Sequence, residues 1–169
     1  MKVAITGHRA EEFSYEETTR TLAWISSMGT WYKDRGMTLA ISGMASGADL
    51  WWSGRANHLD VPVHAYVPFW RHSVRFDNKW REFWVQQIGL AHEVTILGPS
   101  EPYDKTLFFK RNDAMIEACD EMMVVLKASK KSGGTFHCFK NLRASGKQWY
   151  WYDPETNIVK SGRGHLEDK

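Results

Sequence analysis

Three short glycine-containing stretches carry residue types that could bind an anion. They are residues 6–9 (TGHR), 42–49 (SGMASGAD) and 132–135 (SGGT), and each comes after an apolar run typical of a β-strand. In a protein of alternating strands and helices, the strand-to-helix loops open at one edge of the sheet, where helix N-termini favour negative charge. We therefore expect the three stretches to meet at that edge and to surround a phosphate group.

The 132–135 stretch is directly suited to an anion. Gly133 and Gly134 follow Ser132, and without side chains their backbone N–H groups can approach an anion closely. Thr135 can cap the following helix and offer its hydroxyl. The competing interpretation is an ordinary turn followed by a helix cap.

The 42–49 stretch follows the same logic. Gly43 and Gly47 permit a tight loop around Ser46, and Asp49 falls in the first turn of the next predicted helix. An acidic residue is favoured there by the helix dipole alone. The functional alternative is that the Asp49 carboxylate holds a ribose hydroxyl or the edge of a base.

Two further pairs of polar residues could join this site. Arg111 and Asn112 lie one or two turns into a helix that is otherwise apolar. A guanidinium can bind phosphate through two hydrogen bonds and an Asn can read an amide-like edge, whereas the alternative for Arg111 is a surface basic residue. His8 and Arg9 follow the first predicted strand, where they either face the same crevice or form an exposed loop pair.

Composition bounds the class of protein. The chain has 169 residues, enough for one domain with a sizeable core. We assign residues 1–153 to that domain and 154–169 to a polar tail that is either frayed or added to the sheet edge. Lys and Arg number 22 against 20 Asp and Glu. There is therefore no broad basic field for a nucleic-acid backbone, and any contact with a polyanion must be local.

Cofactor, metal and membrane signals are absent from the sequence. No Cys/His cluster has the spacing of zinc ligands, and we interpret Cys119 and Cys138 as buried free thiols. Neither a secretory leader pattern nor a long apolar span is present. We therefore expect a cytoplasmic protein without a metal, a cofactor or a membrane partner, and homo-oligomerisation stays open.

Apolar periodicity predicts an alternation of strands and helices. The predicted strands cover residues 2–6, 38–42, 61–66, 94–97, 122–126 and 148–152, and the predicted helices cover residues 15–35, 47–58, 76–91, 106–118 and 135–145. Strands separated by helices of this length imply parallel pairing with right-handed crossovers. The expected architecture is a Rossmann-like three-layer α/β/α sandwich with a mainly parallel sheet.

Tryptophan is unusually abundant, with nine residues. Most of them lie on helix-like stretches, where packing in the core or on covered helix faces is the ordinary explanation. The group of Trp70, Trp80 and Trp84 is the best candidate to stack on a planar ligand or on a partner instead.

Taken in order, the three glycine stretches and residues 111–115 (RNDAM) resemble the SLOG superfamily, which contains the DprA/Smf proteins and the LOG-type nucleotide phosphoribohydrolases. The resemblance covers residues 2–152 and is closest to the YpsA-like branch of small stand-alone proteins. It implies a Rossmann-like sheet with a nucleotide or nucleotide-derived ligand at its carboxyl edge. The residues that it places around that ligand are Gly7, Gly43, Gly47, Asp49, Arg111, Asn112, Gly133, Gly134 and Thr135.

One position departs from the LOG pattern. LOG enzymes have Pro-Gly-Gly-x-Gly-Thr-x-x-Glu, whose Glu serves catalysis together with an arginine; Arg111 matches that arginine, but Cys138 stands where the Glu would be. The resemblance therefore favours a binding module that senses, sequesters or carries a nucleotide. The alternative is a LOG-like nucleotide N-glycosidase, with Arg111 as a catalytic residue and a carboxylate such as Asp49 or Glu117 replacing the Glu.

A second alternative is single-stranded DNA binding of the DprA type, which needs a basic groove interleaved with aromatic residues. The residues that could supply such a groove are Arg71, Arg75, Lys79, Trp70, Phe76 and Trp80. A solvated helix face with a buried aromatic stripe explains the same residues. The near-neutral total charge favours that explanation over a DNA partner.

Overall fold

The computed structural model describes residues 1–164, which form one seven-stranded sheet flanked by helices. The strands are β1 (Lys2–Gly7), β2 (Leu39–Ser42), β3 (Val63–Val67), β4 (Glu93–Ile96), β5 (Glu121–Val125), β6 (Gln148–Asp153) and β7 (Ile158–Arg163). The helices are α1 (Tyr15–Asp34), α2 (Ala48–His58), α3 (Asn78–Leu90), α4 (Thr106–Ala118) and α5 (Gly134–Ser145). Short 3-10 segments cover Ala10–Glu12 and Trp70–Arg75.

Helices cover both faces of the sheet. On one face α1 and α2 contribute Ile25, Tyr32 and Trp52 to the core, and on the other face α4 and α5 contribute Met115 and Phe139. The side chains of β1 and β5 alternate between these two cores. Both strands are therefore buried on both sides, which explains their uninterrupted apolar runs. The predicted Rossmann-like α/β/α sandwich is confirmed.

The strand order reverses at β1. Strands β2, β3 and β4 lie on one side of β1, whereas β5, β6 and β7 lie on the other side. At the carboxyl end of the pair, Gly7 of β1 is in register with Val125 of β5. Ligands of open α/β sheets bind at such a point of reversal, outside the carboxyl ends of the strands. The topology thus brings the three glycine stretches to one place.

The segment after β6 adds a strand to the sheet edge. Asn157 turns the chain with a φ of 60°, and its side-chain oxygen accepts a 2.7 Å hydrogen bond from the Tyr152 hydroxyl. β7 then pairs antiparallel with β6. Residues 158–163 of the predicted polar tail are thus an edge strand, and residues 165–169 lie outside the described part of the chain.

The predicted helix over residues 76–91 begins later than expected. Asp77 is its N-cap, and the Asp77 carboxylate accepts a 3.1 Å hydrogen bond from the Trp80 N–H. The preceding residues form the 3-10 segment Trp70–Arg75. Trp70 and Trp80 therefore lie on two different elements and not on one continuous helix face.

Within residues 1–164, no helix is long and apolar enough to cross a membrane. No group of three or more His, Cys, Asp or Glu side chains in this part of the chain is arranged to hold a metal ion. Cys119 and Cys138 are both free and buried, as the sequence predicts.

Candidate functional site

A cleft of about 410 Å³ opens at the carboxyl edge of the sheet, beside the ends of β1 and β5. We call it the glycine-loop cleft. The predicted site residues that line it are Gly7, His8, Arg9, Asp49, Arg111, Asn112, Ser132, Gly133, Gly134 and Thr135. The expectation that the three glycine stretches meet at one edge is therefore realised, although Gly43, Ser46 and Gly47 lie outside this lining.

The 132–135 stretch, which we call the open loop, leaves the start of α5 uncovered. Gly133 is the N-cap, with a φ of 98° and no side-chain hydrogen bond that caps the helix. A Cβ added to Gly133 or Gly134 would meet no atom within 4 Å. The expectation that Thr135 caps α5 is wrong, because Thr135 already lies inside the helix. The start of α5 thus borders the cleft and has no side-chain cap among residues 1–164.

The 42–49 stretch, which we call the buried loop, is filled by the protein itself. A Cβ on Gly47, where φ is 88°, would lie 2.5 Å from the His8 carbonyl oxygen. The Ser42 hydroxyl donates a 2.7 Å hydrogen bond to the Asp49 carbonyl oxygen. Ser46 accepts a 3.3 Å hydrogen bond from the Ala10 N–H. These residues position the loop after β1.

Arg111 is buried beneath the cleft, with only 6% of its surface exposed. Its Nη1 donates a 2.6 Å hydrogen bond to the Gly43 carbonyl oxygen, and its Nε donates one of 2.9 Å to the Asn112 side-chain oxygen. The alternative of a surface basic residue is therefore wrong. Burial lowers the pKa of Arg111, although the charge of Asp49 opposes this effect.

Asp49 is the buried carboxylate of the site, with 4% of its surface exposed. Its Oδ2 accepts a 3.3 Å hydrogen bond from the Ala45 N–H, while Oδ1 has no hydrogen-bond partner among residues 1–164. Burial raises the pKa of Asp49 to about 6, and the charge of Arg111 limits that rise. An unpartnered buried acceptor at a cleft wall is a group that a ligand hydroxyl could satisfy.

His8 and Arg9 have different roles. His8 is buried, and its Nε2 accepts a 2.9 Å hydrogen bond from the Lys127 N–H, which ties the loop after β1 to the end of β5. Burial lowers the pKa of His8 to about 4, so the ring is neutral at pH 7. Arg9 is exposed, and its guanidinium carbon lies 5.7 Å from the centroid of the Phe108 ring on the cleft wall.

Neither Cys138 nor Glu117 lies where a catalytic group is needed. Cys138 is on the buried side of α5, and burial raises the pKa of its thiol to about 12. Glu117 is exposed near the C-terminal end of α4, away from the cleft lining. Among the two carboxylates suggested as substitutes for the LOG glutamate, Asp49 alone lines the cleft.

Sequence reasoning missed several residues of the lining. They are Glu11, Glu12, Tyr103, Lys105, Phe108, Phe109 and Lys130, whereas Thr6 and Ala45 belong to two of the predicted stretches. Lys130 forms a 3.1 Å ion pair with Glu12, and it follows β5 just before the open loop. The cluster of lysines at residues 127–131 is the one signal in the sequence that could have pointed to it.

A second cleft, of about 660 Å³, adjoins the first. We call it the aromatic cleft, and its wall includes Ser46, Phe69, Arg71, His72, Val74, Arg75, Phe76, Asp77, Trp80, Ser100 and Glu101. Trp80 lies on the wall, as expected of a residue that could stack on a ligand. Trp70 and Trp84 do not line it, and their rings pack edge to face against each other at 5.7 Å.

A mainly parallel sheet with glycine loops at the point where its strand order reverses defines a Rossmann-like domain. No family model and no curated protein matches the sequence. Among solved structures, DNA processing protein A (DprA) from Streptococcus pneumoniae matches with a TM-score of 0.67 and 21% identity, covering 89% of this chain and 50% of DprA. TM1055 matches with a TM-score of 0.56 and 16% identity, covering 86% of this chain and 70% of TM1055.

These two similarities confirm the predicted Rossmann-like fold. The chain spans about half the length of DprA, since the matched part is 50% of that protein. At such low identity, the fold is what the two structures share with this chain. The ligand has to be argued from the clefts of this molecule.

Proposed function

We propose that this chain is a nucleotide-binding module of the SLOG superfamily, which holds the phosphate of a nucleotide or nucleotide-derived ligand in the glycine-loop cleft. One observation carries the proposal: the uncapped N-terminus of α5 faces a cleft at the point where the strand order reverses. Helix N-termini at this position bind phosphate through free N–H groups and the helix dipole. The open loop leaves the space that a phosphate needs.

Cations surround the same space. Arg9, Lys105, Arg111 and Lys130 line the glycine-loop cleft, against the carboxylates Glu11, Glu12 and Asp49, of which Glu12 is paired with Lys130. The hydrogen bonds found for Arg111 within residues 1–164 use Nε and Nη1, so we assign its Nη2 to the phosphate. Charge-assisted hydrogen bonds of this kind are about twice as strong as neutral ones.

Asp49 suits the sugar of the same ligand. Its Oδ1 has no hydrogen-bond partner within residues 1–164, and we assign it to a ribose hydroxyl, which would donate a hydrogen bond to it. In this arrangement the phosphate binds at the open loop and the sugar contacts Asp49. The protonation of Asp49 at low pH would weaken the second contact.

The burial and the raised pKa of the Cys138 thiol favour binding of a ligand over its chemical conversion. A thiol with a pKa of about 12 in the core cannot exchange a proton with a ligand near neutral pH. Cys138 stands at the position of the LOG glutamate and therefore cannot replace it as a general acid or base. We propose a module that senses or sequesters a nucleotide.

The experiment is a mass-spectrometric screen of the purified chain with added nucleotides, in which each bound species is checked for chemical change. We expect an intact nucleotide to be retained by the wild type. The Gly134→Val variant should bind it at least tenfold more weakly, because a side chain would occupy the phosphate space. Gly89→Val is the matched control, since a Cβ at Gly89 on α3 also meets no atom within 4 Å.

Two results would contradict this proposal. Equal binding by Gly134→Val and the wild type would show that the open loop is only a turn. Release of a free base and a sugar phosphate would show that the chain is an enzyme despite Cys138.

A further inference from the structure

The aromatic cleft takes no part in the phosphate and sugar contacts assigned above. Its volume of about 660 Å³ lies within the range of small-molecule sites, roughly 300–1,000 Å³. Phe76 and Trp80 are half-buried on its wall, and Tyr103 keeps 51% of its surface exposed. Aromatic rings left partly exposed in a concave site provide a surface for an apolar or planar group.

The two clefts share one boundary. Arg9, Glu11, Tyr103 and Phe108 line both of them. The Arg9 guanidinium lies over the Phe108 ring at this boundary, 5.7 Å from its centroid. A ligand whose phosphate rests on the open loop can therefore extend past Arg9 into the aromatic cleft without leaving the protein surface.

The charges on the wall of the aromatic cleft balance. Its cationic and anionic side chains are Arg9, Arg71, Arg75, Glu11, Asp77 and Glu101. A guanidinium nitrogen of Arg71 lies 4.0 Å from a carboxylate oxygen of Glu101. A polynucleotide backbone needs an excess of cations along its path. Balanced charge favours a neutral planar group instead of a DNA strand, although Arg71, Arg75, Phe76 and Trp80 all lie on this wall.

His72 adds a buried polar group to the aromatic wall. It is 5% exposed, and its Nδ1 has no hydrogen-bond partner within residues 1–164. Burial, together with the nearby charges of Arg111 and Arg9, holds the pKa of His72 well below its usual range. The neutral ring keeps one nitrogen as an acceptor and one as a donor. Sites for planar ligands combine such an apolar wall with a few polar groups.

We propose that the aromatic cleft is a nucleobase subsite, in which the base of the ligand stacks against Trp80 and Tyr103. This inference rests on the proposed function, because the phosphate on the open loop determines which end of the ligand reaches the aromatic cleft. The ligand class is therefore a nucleotide whose base and phosphate are held on opposite sides of Arg9. Stacking on aromatic rings is tolerant of base identity, so the polar contacts select among bases.

The test compares two kinds of probe by isothermal titration calorimetry on the full chain. Ribose 5-phosphate carries the phosphate and the sugar, and the four ribonucleoside 5′-monophosphates carry a base in addition. We expect at least one monophosphate to bind about tenfold or more tightly than ribose 5-phosphate, as stacking would provide. Trp80→Ala should remove most of that advantage and leave the affinity for ribose 5-phosphate within twofold, because Trp80 lines the aromatic cleft alone. Tyr103→Ala, whose side chain lines both clefts, should weaken the monophosphates more than it weakens ribose 5-phosphate.

Matched controls remove aromatic rings outside the cleft. Tyr15→Ala is the control for Tyr103→Ala, and Trp70→Ala is the control for Trp80→Ala, because Tyr15 and Trp70 are 87% and 52% exposed and line neither cleft. Both controls should bind the monophosphates as the wild type does. Tyr103 is a solvent-exposed loop residue, so Tyr103→Ala removes no fully buried side chain, although it takes away a ring that contacts Phe69 and Arg75.

The outcomes separate this inference from the proposed function. If the monophosphates bind no more tightly than ribose 5-phosphate, and Gly134→Val weakens both, the nucleobase subsite is wrong and the phosphate site stands. If no probe binds the wild type, both proposals fail. If an oligothymidylate binds with a steep salt dependence and Tyr103→Ala weakens it, the cleft holds single-stranded DNA and the subsite proposal is overturned.

Discussion

The buried loop and the open loop have similar sequences and opposite surroundings. In the buried loop, a Cβ on Gly47 would lie 2.5 Å from the carbonyl oxygen of His8. In the open loop, a Cβ on Gly134 would meet nothing within 4 Å. Both loops precede a helix at the same edge of the sheet. The glycines of the buried loop make room for the chain's own backbone, whereas those of the open loop leave room for a ligand.

Glycines before a helix therefore indicate that some group approaches the backbone closely. They do not show whether that group belongs to the chain itself or to a ligand. Gly43 allows Arg111 to reach its carbonyl oxygen from 68 positions further along the chain. In the part of the chain that the structure describes, no residue lies within 4 Å of a Cβ added to Gly133. The two loops therefore respond differently to substitution: the buried loop should lose stability, and the open loop should lose ligand.

Gly47→Ala is expected to have the largest effect. Its φ of 88° strains any other residue, at about 1–3 kcal/mol, and the contact with the His8 carbonyl oxygen adds a similar cost of overpacking. We expect a loss of about 4 kcal/mol in the free energy of unfolding, measured by urea unfolding with tryptophan fluorescence. Gly133→Ala is the control, because its φ of 98° imposes a similar strain while its Cβ would meet no atom of residues 1–164 within 4 Å, so only the strain part of the loss should remain. Equal losses in the two variants would contradict the comparison.

Arg111→Met should be the next most damaging change. It leaves the Gly43 carbonyl oxygen without its donor and Asp49 without an opposing buried charge. We expect a loss of about 3 kcal/mol in the free energy of unfolding. Asp49→Asn should lower the free energy of unfolding less in Arg111→Met than in the wild type. In Arg111→Met the buried Asp49 carboxylate has lost its opposing charge, so its removal relieves a destabilising group. A double-mutant cycle measures this coupling, and strictly additive losses would show that Arg111 and Asp49 act independently.

The pH dependence of stability should report Asp49. Its pKa rises from an ordinary 3.8 to about 6 on burial, so the folded chain binds the proton more tightly than the unfolded chain does. The contribution of Asp49 to the free energy of unfolding is therefore greatest below pH 4. Ionisation of Asp49 removes about 2–3 kcal/mol of that free energy as the pH rises from 4 through 6. We expect the free energy of unfolding of the wild type, minus that of Asp49→Asn, to fall between pH 4 and pH 7.

His8 makes the subtraction necessary. Burial lowers its pKa from 6.5 to about 4, so its contribution to stability rises with pH over the same interval and opposes that of Asp49. His8 is present in both proteins, and its contribution cancels in the difference. A difference that stays flat or rises with pH would show that Asp49 is ionised in the fold at all these pH values.

The carboxyl edge could be predicted from the sequence because strand ends and helix starts are local patterns. The residues that fill it could not, since Arg111 and Gly43 are adjacent only in the folded chain. Periodicity also failed to separate Trp80 from Trp70, because a helix cap at Asp77 divides the segment that holds them. Residues 158–163 form β7 despite their polar character, since an edge strand is largely exposed.

Gly134→Val should have the smallest effect on stability and is therefore the sharpest test of the comparison. Its side chain would enter empty space at the start of α5, so the free energy of unfolding should stay within about 0.5 kcal/mol of the wild type. Thermal unfolding without ligand measures this, and added nucleotide should raise the melting temperature of the wild type more than that of Gly134→Val. A loss of stability comparable to that of Gly47→Ala would mean that the open loop is packed like the buried one. Its glycines would then serve the fold, and the phosphate would have to bind elsewhere.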